Sequence, residues 1–224
     1  MSFNAVRQAK YSLIDQGLPV GLVIDFGPRF CPQYLNHAAQ NGAQHALAVD
    51  AHLPTDSPQA PDGFAAGVDY HKADFSKDAI VPWISNYRKK HAGRCFGIMF
   101  DTLLHQHSPL RVMRNLLSVL DCICLGCPVL SKGGASCVFL PAVPISEQET
   151  MFPKLWMPNG ECDDATNKLR FVAPNAYERA HWLWGLSADL LRIWMQREGF
   201  QITIEKRWEQ STVWSWWGCY AVRA

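Results

Sequence analysis

The chain reads as an α/β three-layer sandwich, a seven-stranded and mostly parallel sheet ending in an antiparallel hairpin, and three observations predict it. Gly21 to Asp50 alternates a short apolar run, a helical pattern and a second apolar run, which is a β-α-β unit. The alternation continues through three further strand candidates. The last stretch, Gln201 to Trp208 and Val213 to Val222, gives two β-rich segments joined by Glu209-Gln210-Ser211, the pattern of a hairpin.

Phe3 to Gln16 predicts an amphipathic helix with Val6, Ala9, Lys10, Leu13 and Ile14 on one stripe, stopped by Gly17 and Pro19 and packed over the mouth of a ligand crevice. Leu22 to Ile24 is the first strand; it ends in Asp25 and Gly27. Tyr34, Leu35, Ala38 and Ala39 mark a helix, Gly42 ends it, and Ala46 to Val49 runs into Asp50. A glycine where a buried strand meets a helix lets a ligand approach the backbone, and an acid ending the next strand can accept ribose hydroxyls. A Gly27 that merely closes a tight turn is the alternative. The polar, proline-rich LPTDSPQAPDG after Asp50 predicts a surface loop.

Gly67 to Tyr70 predicts a brief strand leading to Ala73-Asp74-Phe75, and Ser76-Lys77-Asp78 opens a helix over Ala79 to Lys90. Cys95 to Leu104 reads as an apolar strand carrying Asp101 near its end, followed by His105-Gln106-His107-Ser108-Pro109. Pro109 begins a helix with Leu110, Met113, Leu116, Leu117 and Leu120 as apolar positions, and Cys122 to Leu130 is a buried strand. Gly133 to Pro174 is irregular, an insertion or lid. Ser187 to Gln196 is a capped helix with Leu190, Leu191, Trp194 and Met195 buried, stopped by Gly199.

At 224 residues the chain fits one domain, residues 1–224, with a sizeable core. Its net charge of +1 gives no electrostatic footprint for nucleic acid. No apolar run reaches the ~18–20 residues that cross a bilayer, and the start lacks a signal pattern, so the chain reads as cytoplasmic. The eight cysteines fall mostly inside apolar runs, as reduced buried thiols do; Cys122, Cys124 and Cys127 have no second ligand cluster, and no metal is expected.

With this order, the chain resembles the class I S-adenosylmethionine-dependent methyltransferases. The resemblance rests on VIDFG with VDA 25 residues later, ADF at Ala73 to Phe75, FDTLLHQHSPL at Phe100 to Leu110 and WGLSADLLRIWMQREGF at Trp184 to Phe200. Leu104-His105 is similar to the Leu-Tyr-His element of relatives of the transfer-RNA wobble-uridine carboxymethyltransferases, with Leu104 in place of tyrosine. The resemblance implies S-adenosylmethionine as cofactor and a small-molecule acceptor, with a homodimer left open. It places Asp25, Phe26 and Gly27 near the methionine end, Asp50 and Ala51 at the ribose, Asp74 and Phe75 beside the adenine, and Leu104 at the cofactor wall. Glycine is replaced at Arg29 and Cys31; Arg29 either obstructs the methionine moiety or pairs with its carboxylate. A non-catalytic relative serving as partner or scaffold is the rival reading.

Methyl transfer from a sulfonium is an in-line displacement, so alignment and water exclusion matter most. His105 and His107 are candidates to accept the acceptor's proton, or else they hold their loop. Asp101 binds an amine acceptor or caps its turn. Of the nine tryptophans, Trp182 and Trp184 precede the last helix and are candidates to stack on an aromatic or cationic acceptor, with core packing as the alternative.

Overall fold

The computed structural model describes residues 3–28, 32–51, 63–131, 133–139, 161–163, 168–170, 184–209 and 214–224. The order is α1 (Phe3–Gly17), β1 (Val20–Phe26), α2 (Gln33–Gln40), β2 (Ala43–Asp50), β3 (Val68–Lys72), α3 (Ile80–Arg88), β4 (Cys95–Phe100), a 3-10 turn (Leu103–His105), α4 (Pro109–Val119) and β5 (Cys122–Leu130). There follow β6 (Cys137–Phe139), β7 (Glu161–Asp163), β8 (Lys168–Arg170), β9 (Trp184–Leu186), α5 (Ala188–Arg197), β10 (Phe200–Glu209) and β11 (Trp214–Arg223).

The main sheet has seven strands in the order β10-β11-β5-β4-β1-β2-β3. The β1–β2, β2–β3, β1–β4 and β4–β5 pairs are parallel; β11 runs antiparallel to both β5 and β10. Strand order reverses between β1 and β4, the switch point beside which such sheets form their ligand crevice. Alternation along β1 explains the layers. Leu22, Ile24 and Phe26 point into a core shared with α3, α4 and α5, while Val23 points into the core beneath α1 and α2; Val20, at the start of the strand, joins that second core outside the alternation.

Cys122 and Cys124 share one face and Cys127 the other, as their spacing requires, and all three are buried free thiols. Opposite them, Gly126 and Gly218 are register partners on β5 and β11. The Trp216 indole lies over both: a Cβ would stand 2.5 Å from Trp216 Cζ2 at Gly126 and 2.3 Å from its Cη2 at Gly218. Only the absence of two side chains makes room for that ring.

Three sequence expectations need correction. The strand predicted over Cys95 to Leu104 stops at Phe100, because Asp101 takes φ 58 and turns the chain into the 3-10 turn. Leu110, assigned to the apolar stripe of α4, is exposed, and Val112 is buried in its place. The stretch 133–174, read as irregular, contains three strands: β6 pairs antiparallel with β9 just beyond it, and β7 with β8. The β6–β9 pair brings the two ends of the insertion together, and Ser187 then caps α5, its hydroxyl accepting from the Leu190 and Ser136 amides. The expected 209–211 hairpin connection lies largely outside the described residues.

Candidate functional site

The carboxyl ends of β1, β2 and β4 bring three aspartates to one end of the sheet, where the switch point lies. Asp25, one residue before the end of β1, is buried, and its Oδ2 has no hydrogen-bond partner. Burial, then the neighbouring Asp50 carboxylate, push its carboxyl well above the ordinary range; the Lys10 ammonium pulls the other way. Gly27 follows at φ 86, its amide donating to Val49 O at 2.9 Å, and a Cβ there would sit 2.6 Å from Thr102 Cγ2. The first β-α turn and the loop after β4 are thus in close contact across the switch point. Asp50, also buried, closes β2.

Asp101 stands on the other side of the crevice. Among described residues it is the one non-glycine residue with positive φ, a conformation costing on the order of 1–3 kcal/mol that persists only where the surroundings enforce it. They do so here. Its amide donates to Gly126 O at 2.7 Å, the Lys10 ammonium donates to Oδ2, and the Trp216 indole N–H donates to Oδ1 at 3.2 Å. Lys10 is itself caged by the rings of Tyr34, Phe100 and Trp216, at 5.2, 5.5 and 5.8 Å from their centroids.

The remaining expected residues divide into three groups. Asp74 lies in the turn after β3 and accepts from the Ser76 amide at 2.9 Å and hydroxyl at 2.5 Å. Partial burial raises its carboxyl, but these bonds, with Lys77 and His107 nearby, outweigh that and leave it below the usual range. His107 therefore stands near Asp74. His105 and His107 are both exposed. Trp184 donates its indole N–H to Gln106 O at 3.0 Å, tying the base of the insertion to the His105 loop. Ala51 is exposed just beyond Asp50.

By contrast, Phe75 and Phe26 pack edge to face at 5.9 Å in the hydrophobic core, and Leu104 is fully buried in the same core. Their side chains line the sheet interior. Arg29, Cys31 and Trp182 lie outside the described residues.

Sequence reasoning missed Lys10, Tyr34, Phe100, Thr102 and Trp216 as site residues. One signal was present: a lysine on the buried stripe of α1 must be paired, since lysine is almost never buried alone. No group of three or more metal-ligating side chains converges among the described residues. Nor is any helix there long and apolar enough to cross a membrane.

Neither a protein-family model nor a curated protein matches the sequence. Solved structures do match its fold. The magnesium protoporphyrin IX methyltransferase of Synechocystis PCC 6803 with bound SAH superposes with TM-score 0.55 at 16% identity, covering 99% of this chain and 83% of that one. The N-methyltransferase NodS of Bradyrhizobium japonicum WM9 with S-adenosyl-L-homocysteine gives 0.55 at 9%, covering 98% and 86%. The cyclase SpnF gives 0.59 at 13%, covering 100% and 84%. At these identities the likeness speaks to architecture, and the architecture of this chain is the class I methyltransferase fold.

Proposed function

We propose that the protein is an S-adenosylmethionine-dependent methyltransferase acting on a small-molecule acceptor. The observation that carries this reading is the buried Asp25 carboxyl, whose Oδ2 has no hydrogen-bond partner and which an arriving cation would ionise, beside a positive-φ Gly27 at the switch point. An orphaned buried oxygen is costly unless a ligand completes it, and an ammonium such as that of a methionine moiety is the complement. The charge of the crevice agrees with this. Asp50 stands beside Asp25, close enough to raise its pKa, so two acidic groups meet at the ends of β1 and β2, a setting that favours a cationic ligand over the pyrophosphate of a dinucleotide. Two neighbours of the same fold, the magnesium protoporphyrin IX enzyme and NodS, were crystallised with S-adenosylhomocysteine.

In this reading Asp25 and Asp50 bind the cofactor, which supplies an electrophilic methyl group. Gly27 lets it approach the backbone. Asp101, fixed by Lys10, Trp216 and Gly126 O, orients the acceptor, and His105 or His107 takes its proton where one must leave. The β6–β9 pair and the Trp184 indole hold the chain on either side of the insertion beside the His105 loop.

Isothermal titration with S-adenosylhomocysteine and with NAD tests the reading. Binding of the first and not the second is expected, and Asp50→Ala should weaken it by about 1.5–3 kcal/mol, the scale of a hydrogen bond to a charged group. No heat at millimolar S-adenosylhomocysteine would favour the scaffold alternative, and an unchanged affinity in Asp50→Ala would remove Asp50 from the cofactor.

A further inference from the structure

The Lys10–Asp101–Trp216 unit carries an inference about the acceptor, resting on the proposed methyl transfer. Lys10 is 6% exposed, held by three ring faces and by Asp101, whereas the Asp101 side chain remains 41% exposed. Lys10 therefore stands behind the carboxylate, and the carboxylate presents its open edge outward. Each of its oxygens already accepts one hydrogen bond, from the Lys10 ammonium and the Trp216 indole, and keeps lone-pair capacity for a donor.

We propose that Lys10, by matching the charge of Asp101 from within the fold, sets the acceptor class: an uncharged hydrogen-bond donor, a hydroxyl or neutral N–H, rather than an ammonium. An incoming cation meets a carboxylate whose charge is compensated at contact distance, with the Lys10 charge repelling it across the same group. Lys10 cannot move away without leaving its cage and its partner. A sulfonium cofactor would add a further positive charge to the crevice. A neutral donor incurs neither repulsion, and finds an acceptor atom locked in place. Lys10 is thus a positioning and specificity residue; it does not touch the substrate.

The test uses the full chain and a matched pair of probes, benzyl alcohol and benzylammonium, titrated with and without S-adenosylhomocysteine. The signal of the Trp216 indole N–H, which reports on Asp101 directly, is followed by NMR. The wild type should bind the alcohol at least about tenfold more tightly than the ammonium, Lys10→Arg should keep that order, and Lys10→Met should reverse it. Should Lys10→Met fail to fold, Asp101→Asn supplies the opposite case: Lys10 is left uncompensated, so benzylammonium is rejected further and benzoate gains affinity. Equal or tighter binding of benzylammonium by the wild type, a ratio within twofold in Lys10→Met, or no response of Trp216 to either probe would each overturn the proposal. Because the probes are read without cofactor as well, failure of S-adenosylhomocysteine to bind sinks the methyl-transfer reading separately from the role of Lys10.

Discussion

Asp25→Asn should yield a more stable protein that has lost most of its affinity for S-adenosylhomocysteine. The buried Asp25 carboxyl has its folded pKa raised by desolvation and by Asp50, so the folded state holds a proton that the unfolded chain releases near pH ~3.9. The sign follows from linkage: as pH rises above the unfolded value, the unfolded state gains from ionisation first, and wild-type stability falls until the folded value is passed. Asparagine has no such penalty. We expect it to be more stable than the wild type at pH 8 by about 1–3 kcal/mol, the cost of a poorly compensated buried polar group, with the difference vanishing toward pH 4. Chemical denaturation across that range reads it directly. In the same variant S-adenosylhomocysteine should bind ten- to a hundredfold more weakly, the equivalent of about 1.4–2.7 kcal/mol, because the orphan oxygen that would receive an ammonium is gone. A variant less stable at pH 8, with binding intact, would mean that Asp25 is a structural anchor.

Gly27→Ala should be the most damaging single methyl addition in the crevice. The new Cβ at φ 86 meets Thr102 Cγ2 at 2.6 Å and Oγ1 at 2.7 Å. The left-handed backbone costs about 1–2 kcal/mol for an L side chain, and the overlap about 1–3 kcal/mol more. A loss of about 2–4 kcal/mol by urea denaturation is expected. Thr102→Ala in the Gly27→Ala background leaves Thr102 Cβ at 3.2 Å and should recover the steric part alone. Full recovery would mean the backbone carries no strain at Gly27, and no recovery would mean the overlap is relieved elsewhere.

Much of the sheet was legible because its elements carry local signals. Apolar runs of strand length in β1, β2, β4 and β5, the Pro109 start of α4 and the Ser187 cap of α5 all act within a few residues. The position of Asp25, Gly27, Asp50 and Asp101 at or just beyond strand ends was legible for the same reason. What sequence could not carry was pairing over distance. Lys10 and Asp101 are 91 positions apart, and Trp216 reaches Asp101 across 115. The end of β4 was misread because the β-branched Thr102 and the apolar Leu103 and Leu104 extend a strand-like pattern past Asp101, while the conformation of Asp101 that ends the strand is imposed by Gly126, Lys10 and Trp216. The packing of Leu104 and Phe75 was not legible for a related reason: an apolar residue in a loop after a strand can turn toward a ligand or into the core, and here both side chains are buried in the core.

The two glycines beneath Trp216 have a historical consequence. Positions 126, 216 and 218 cannot drift independently, since the ring on β11 fills the space that a side chain on either glycine would need. Descendants of this sequence should keep the large ring with both glycines, or lose the ring together with one of them. Intermediates with a tryptophan over an alanine should be purged. Because the same indole also holds Asp101, such a lineage would change its crevice in the step that changes its packing. A shift in what the crevice accepts could then begin as a repacking of β5 against β11.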